Sequence, residues 1–372
     1  MADIESAFVH LARLSLNDRR RDVLLLIRKT LPAIAQSRPG LAKELGTLLS
    51  ESAHLGRARA VKEVIPVDLD SRLELLRFED HPVMPVEPTW PDAINKELNQ
   101  IILERSHIDR LNEAGVLPTR SMLFIGPPGT GKSLAARYLA VQLKRPLLTL
   151  DLAAVMSSFL GRTGNNIRAV LRFAQQQPSI LLLDEFDAIA KRRDDSAEIG
   201  ELKRLVTVLL QTIDDWPPYG ILIAATNHPD LLDPAVWRRF ERILPFGLPE
   251  FEQVRNAVAL SLNHQPDVPS EETIDLLCQL LVGRSFADIE MIINTSRREA
   301  IILDKPLSQI LEQLKDSLLQ KLDHDGQIRL AVGMYETGFS QRLTKEVTGI
   351  ARDTIRKHYR KKRGGKRNGS SA

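Results

Sequence analysis

Between residues 122 and 246, short apolar runs alternate with longer stretches of helical spacing. The runs are Met122–Ile125, Leu147–Asp151, Ser179–Leu183, Ile221–Thr226 and, shorter, Ile243–Phe246. Near-continuous apolar runs of this length fit strands covered on both faces. Between them the segments Leu134–Ala140, Asn165–Gln175 and Gly200–Ile213 read as helices. This alternation predicts an α/β fold built on a doubly wound parallel sheet.

On either side the pattern is helical. After Pro249 the segments Phe251–Asn263, Ser270–Leu281, Ser285–Leu303 and Leu307–Leu322 predict a helical lid. Before the sheet, one helix is expected from Asp92 to Ala114, with Ile94, Leu98, Ile101 and Ile102 on one side. Near the start, Leu41, Leu45, Leu48 and Leu49 fall on one helical face. Leu24–Ile27, Leu31 and Ile34 give a broader helix that Pro32 should break or kink, and Phe8, Leu11 and Leu14 a shorter one. The expected small all-α bundle is either a stabilising extension or a docking module. Pro66, Pro82, Pro85, Pro88 and Pro91 then argue for an extended linker. The resulting organisation is a bundle over 1–55, a linker over 56–91, an α/β subdomain over 92–249, a lid over 250–325 and a separate segment over 326–372.

Composition adds limits. The chain of 372 residues is 43% hydrophobic and 27% charged, with net charge +3, which suits a globular protein with a proper core. One cysteine, Cys278, excludes a disulfide framework and a cysteine-based metal site, and its apolar neighbours make it a core thiol. No apolar run approaches the length needed to span a bilayer. The first residues, MADIESAF, are acidic where a signal peptide starts basic. A cytoplasmic location without membrane contact is expected.

The charge is uneven. Arg342–Arg367 holds eleven Lys and Arg against Glu346 and Asp353, so this segment carries +9 and the remainder −6. Ser340–Val347 and Ala351–Lys361 read as two helices joined by a tight turn at Thr348–Ile350, with Leu343, Val347, Ile350, Ile355 and Tyr359 as a shared core. This is a helix-turn-helix outline. Arg352, Arg356, Lys357 and Arg360 would suit phosphate contacts. The alternative is a helical cap followed by a solvated basic tail. Gly364–Ala372 is of low complexity, and disorder is expected there.

The chemistry begins between the first strand and its helix, where residues 126–133 read GPPGTGKS. Gly126, Gly129 and Gly131 let the backbone turn tightly and approach phosphate. With Pro127, Pro128 and Thr130 they form a loop whose N–H groups, together with the helix start at Leu134, make an anion cradle. This is a Walker A loop: Lys132 reaches the β- and γ-phosphates and the Ser133 hydroxyl ligates Mg²⁺. The run Ile180–Glu185 is a Walker B match, with Asp184 placed for Mg²⁺ and Glu185 for orienting and polarising the attacking water. Both acids predict hydrolysis as well as binding of a nucleoside triphosphate. Asn227 ends a later strand at the same edge, although it could equally be a turn cap. Arg238 and Arg239 precede Phe240; they are either a solvated pair or cations for the γ-phosphate of a neighbouring subunit.

In their order and spacing these motifs resemble the AAA ATPases, in the group of katanin, spastin and the proteasomal ATPases. The likeness covers residues from about 95 to 305. It implies that ATP is the nucleotide, that Asn227 is sensor 1, and that Arg238 and Arg239 are paired arginine fingers acting in trans within a homo-oligomer, usually a hexamer. Arg284–Asp288 resembles the family's lid motif, with Phe286 in place of its usual glycine. Phe159, Leu160 and Gly161 resemble the pore loop with which ring translocases grip a polypeptide. A second pore loop, or a plain surface loop, would fall at Arg193–Glu198. The implied function is ATP hydrolysis coupled to remodelling, unfolding or translocation of a protein substrate. Neither HExxH nor GxSxG occurs in the chain, so any protease partner would be separately encoded. The alternative is a DNA-associated ATPase, a transposition or replication helper, using the basic segment 340–367.

Overall fold

A six-stranded sheet organises the structure, a computed structural model that describes residues 75–152, 163–190, 199–263, 265 and 267–368, with isolated earlier positions. The chain divides into two compact units, Met1–Val64 and Ile65–Ala372. In the first unit Ile34, Gly40, Leu41 and Glu44 are helical and Ile34 is buried. The rest of the expected N-terminal bundle lies outside the described residues.

In the second unit the strands are β1 (Arg77–Glu79), β2 (Ser121–Ile125), β3 (Leu147–Asp151), β4 (Ile180–Asp184), β5 (Ile221–Thr226) and β6 (Arg242–Pro245). Their order across the sheet is β1-β3-β4-β5-β2-β6. All neighbours from β3 to β6 pair in parallel, with Leu148 opposite Leu181, Leu181 opposite Leu222 and Leu123 opposite Ala224. One edge departs from the expected parallel sheet: β1 runs antiparallel to β3. It comes from the proline-dense span expected as a linker. Arg137 holds this edge strand with two 2.7 Å hydrogen bonds to Glu79.

Helices cover both faces. The segment expected as one helix is α1 (Asp92–Ser106) followed by α2 (Ile108–Glu113). The break at His107 has a local cause: the Ser106 hydroxyl donates to Leu103 O at 2.9 Å and His107 Nδ1 lies 3.0 Å from the same oxygen. Such side-chain bonds compete with the helical ladder. Next come α3 (Lys132–Gln142), α4 (Thr163–Gln175), α5 (Asp187–Ala190), α6 (Ile199–Asp214) and α7 (Pro234–Trp237).

The strands bury both faces by simple alternation. Met122 and Phe124 of β2 pack with Ile94, Leu98 and Ile101 of α1 and Leu139 of α3. Leu123 packs on the other side with Leu181, Leu222, Ile167 and Leu171 of α4, and Ile213 of α6. These side chains are at most 2% exposed apart from Ile94 at 4%, so removing one leucine should cost about 2–5 kcal/mol. The sheet is therefore a rigid platform, and its parallel strands direct their C-terminal ends to one edge.

Beyond the sheet, α8 (Phe251–Leu262), α9 (Glu271–Leu281), α10 (Phe286–Leu303) and α11 (Leu307–Gln320) pack around Val258, Leu277, Ile289, Ile293 and Leu311. Cys278 is buried there, and burial pushes its thiol up to about 12. The start of α10 is fixed by a reciprocal capping box between Ser285 and Asp288. Hydrogen bonds from Ser285 hold the Asp288 carboxyl below its ordinary range.

The chain ends in α12 (His324–Glu336), α13 (Gln341–Thr348) and α14 (Arg352–Asn368). The two helices expected here are present, but their apolar residues do not form one shared core. Leu343 and Val347 pack with Met334 and Leu276, whereas Ile350, Ile355 and Tyr359 pack with Ala331, Val332 and Tyr335. The unpredicted α12 runs between and divides them.

Candidate functional site

The turn from β2 into α3 is made by residues 126–131, and three of its glycines have positive φ: +142° at Gly126, +72° at Gly129 and +93° at Gly131. At Gly126 a Cβ would lie 2.0 Å from the carbonyl oxygen of Phe246, so nothing larger than glycine fits. Thr130 is buried and its hydroxyl donates to Pro127 O at 2.8 Å, closing the turn. Pro128, Ser133 and Leu134 line the cavity above it.

Lys132 points back into this turn. Its ammonium donates to Gly126 O and Pro127 O, both at 2.8 Å, and to Asn227 Oδ1 at 2.7 Å. Burial lowers its pKa, opposed by the negative charges of Asp184 and Asp187. Asn227 follows directly on β5, in a segment held at both sides: the Thr226 hydroxyl donates to Asp187 Oδ1 at 2.7 Å and accepts the His228 N–H at 3.0 Å.

The end of β4 carries the acids. The Ser133 hydroxyl donates to Asp184 Oδ2 at 3.0 Å, and Asp184 Oδ1 accepts the Glu185 N–H at 3.0 Å. Glu185 has φ of +52°, a left-handed conformation that a glutamate adopts only when its surroundings enforce it. They do: the next residue, Phe186, is fully buried, its N–H donates to Ala225 O at 2.9 Å, and its ring meets Phe240 edge-on at 5.8 Å. Asp151, in register with Asp184 across β3 and β4, adds another carboxylate. The Glu185 carboxyl is raised above its ordinary value, first by desolvation and then by the charges of Asp151, Asp184 and Asp187.

These groups open onto a cavity of about 770 Å³, within the range of small-molecule sites. One side is a strap of Val86, Glu87, Pro88 and Thr89 leading to Trp90. Trp90 is 5% exposed, stacks edge-on against Tyr138 at 5.4 Å, and sits where a Cβ on Gly131 would be 2.9 Å from its Nε1. The other side is the lid, with Ala257 and Leu260 from α8 and Phe286, Asn294 and Arg297 from α10. Lid and turn meet closely: the Ala287 N–H donates to Gly129 O at 3.3 Å, and a Cβ on Gly129 would lie 2.8 Å from Ala287 Cβ. Phe286 lines the cavity, while Gly129 and Ala287 supply the close packing.

The residues fit a nucleoside triphosphate with a divalent ion. Positive-φ glycines form a cradle that a Cβ would fill, and Lys132 supplies positive charge on its floor. Among the described residues no group of three or more His, Cys, Asp and Glu could hold a metal. A Ser133–Asp184 oxygen pair still suits Mg²⁺, which keeps several waters and takes further ligands from phosphate.

Not every expected residue is gathered here. Arg238 and Arg239 are exposed at the end of α7 and do not line the cavity. Arg239 is ion-paired with Asp214, whereas Arg238 has no ion pair among the described residues. Phe159, Leu160, Gly161 and the segment 193–198 lie outside the described residues. Conversely, Trp90, Asp151, Asp187 and the strap were not anticipated. Asp151 was findable, because it ends a predicted strand on the same edge as Asp184.

A family model described as "ATPase family associated with various cellular activities (AAA)" matches residues 122–248. The chain is 39% identical over 235 residues to an uncharacterized AAA family ATPase, y4kL, of Sinorhizobium fredii, covering 62% of this chain and 69% of that protein. It is 30% identical over 275 residues to the proteasome-activating nucleotidase of Archaeoglobus fulgidus, 68% of each chain. The corresponding protein of Methanopyrus kandleri is 31% identical over 270 residues, 70% of this chain and 61% of that one.

Proposed function

The chain belongs to the AAA family of ATPases and hydrolyses ATP, and from that premise we propose that it couples hydrolysis to the remodelling of a protein substrate in a homo-oligomeric ring. Lys132 and the backbone N–H groups of residues 129–133 bind the β- and γ-phosphates, and Asn227 fixes the lysine. Ser133 and Asp184 would hold Mg²⁺, which would neutralise charge on the phosphates. Glu185 orients water and takes its proton as the water oxygen bonds to the γ-phosphorus, while the bond to the bridging β–γ oxygen breaks to leave ADP and phosphate.

The ring reading is supported by where the arginines stand. Phosphate cradle, metal ligands and base converge on one cavity, while Arg238 and Arg239 stand exposed outside it. Charge developing on the γ-phosphoryl group in the transition state needs a cation. A neighbour's Arg238 supplies it, while Arg239, held by Asp214, positions that turn. A hexamer is the assembly this family resemblance favours.

The substrate reading rests on the family relationship and on Phe159–Leu160–Gly161. Four relatives carry the name proteasome-activating nucleotidase, which supports work on proteins and a separately encoded protease as partner. Phe159 grips the polypeptide through apolar contact that requires no particular sequence. The test is an unfolding assay on a stable fluorescent protein bearing an unstructured tail. Phe159→Ala should keep ATPase activity and lose unfolding by tenfold or more, an order-of-magnitude expectation for removing a major apolar grip. Unchanged unfolding by the variant would remove the threading model.

A further inference from the structure

The C-terminal helices carry a second charged site that shares no lining residue with the nucleotide cavity. A concavity of about 210 Å³ between α13 and α14 is lined by Arg342 and Lys345 from α13, Arg352 and Arg356 from α14, and Tyr335 of α12. All four cations are exposed, and none forms an ion pair among the described residues. The carboxylates of these two helices, Glu346 and Asp353, do not line it. Four exposed cations around one hollow whose lining includes no carboxylate form a patch suited to an anionic partner.

The scaffold restricts which anion fits. Gly349 ends α13 in the left-handed conformation, φ +68°, with its N–H bonded to Lys345 O at 2.8 Å. Three residues, Gly349–Ala351, make the turn, and buried Ile350 anchors it against α12. A short glycine turn between two helices braced by a third is a helix-turn-helix. Its second helix, α14, is 17 residues long, about 25 Å at 1.5 Å per residue. Exposed Arg352, Arg356 and Arg360 recur every fourth residue along it, and Lys361, Lys362, Arg363, Lys366 and Arg367 follow in the same helix.

We propose that α12, α13 and α14 form a duplex-DNA-binding module, with α14 in the major groove and Arg342, Lys345, Arg352 and Arg356 each on a neighbouring backbone phosphate. The B-form major groove, about 12 Å wide, admits a helix; the deep narrow groove of duplex RNA does not. Insertion into a lipid surface needs an apolar helix face, and the apolar residues of α14, Ile355 and Tyr359, are already packed inward against α12.

The test is anisotropy of a labelled random-sequence DNA duplex titrated with the full-length protein over a range of salt. Four phosphate contacts predict a log–log salt slope of about −3 to −4. Arg352→Ala/Arg356→Ala should weaken binding roughly 10- to 100-fold near 0.1 M salt and make the slope shallower by about 2. Unchanged basal ATPase activity would show that this variant is folded; if it is not, Arg342→Ala/Lys345→Ala gives the same comparison. Absence of salt-dependent duplex binding, unchanged binding by a folded variant, or equal affinity for duplex RNA or phosphatidylserine vesicles would each overturn the assignment.

Discussion

The ammonium of Lys132 and the side-chain oxygen of Asn227 lie 2.7 Å apart, joining the phosphate loop to the end of β5. The link crosses two neighbouring parallel strands, since β2 pairs directly with β5. A change at the tip of β5 therefore reaches the ammonium proposed to bind phosphate. Asn227→Ala should retain the lysine's two backbone partners and so retain nucleotide binding. Its kcat should fall about 10- to 1000-fold, the range for losing one group that acts mainly in the transition state. Parallel measurement of nucleotide affinity and turnover checks this; weaker affinity with kcat unchanged would mean that Asn227 serves binding alone.

Glu185→Gln should bind ATP and stop turning it over, with kcat down about 10²- to 10⁴-fold for loss of a general base. The pH dependence follows from the raised carboxyl. Activity needs the ionised form, so the acid limb of the wild-type kcat/KM profile, which reports the free enzyme, should be displaced upward from an ordinary carboxylate's. The stability sign is the reverse. A carboxyl raised in the folded state binds its proton more tightly there than in the unfolded chain, so its charged form costs stability above the folded pKa. The neutral variant should melt at the same temperature as wild type or higher, measured without nucleotide at neutral pH.

Gly129→Ala tests the joint between loop and lid. The new Cβ would press on Ala287 Cβ and Ser285 Oγ at 2.8 and 2.7 Å, at a φ of +72°. The backbone conformation alone costs about 1–2 kcal/mol, and relief of the clash requires the lid to move away. Calorimetry should show weaker ATP binding, and thermal melting a lower midpoint.

Trp90→Ala should destabilise the protein by about 3–5 kcal/mol, the usual cost of emptying a buried aromatic site. Because the indole lies against Gly131, nucleotide binding should also change its fluorescence in the wild-type protein. Comparison with Trp216→Phe and Trp237→Phe proteins identifies the responding residue.

What could be read from the residue order was the chemistry that depends on local spacing. Gly126–Ser133 and Asp184–Glu185 declare themselves because each motif lies within a few residues. The strands β2, β4 and β5 do so because burial on both faces leaves unbroken apolar runs. Strand β1 is three residues long in a proline-dense span, and its existence depends on pairing with β3. Trp90 joins the site only through tertiary contact with Gly131. Helix α12, His324–Glu336, includes two glycines, which weaken any helical signal. Missing it made Leu343, Val347, Ile350, Ile355 and Tyr359 look like one core when α12 separates them. The two helices either side of Gly349 were legible because that signal, a glycine between two amphipathic segments, is local.

If each catalytic site is shared between neighbouring chains, mixing two inactive variants should restore it. Glu185→Gln and Arg238→Ala proteins should each be inactive alone. Combined under assembly conditions, they form interfaces where an intact Glu185 of one chain meets an intact Arg238 of the next. The mixture should recover ATPase activity well above either parent. A mixture no more active than its components would contradict the shared site.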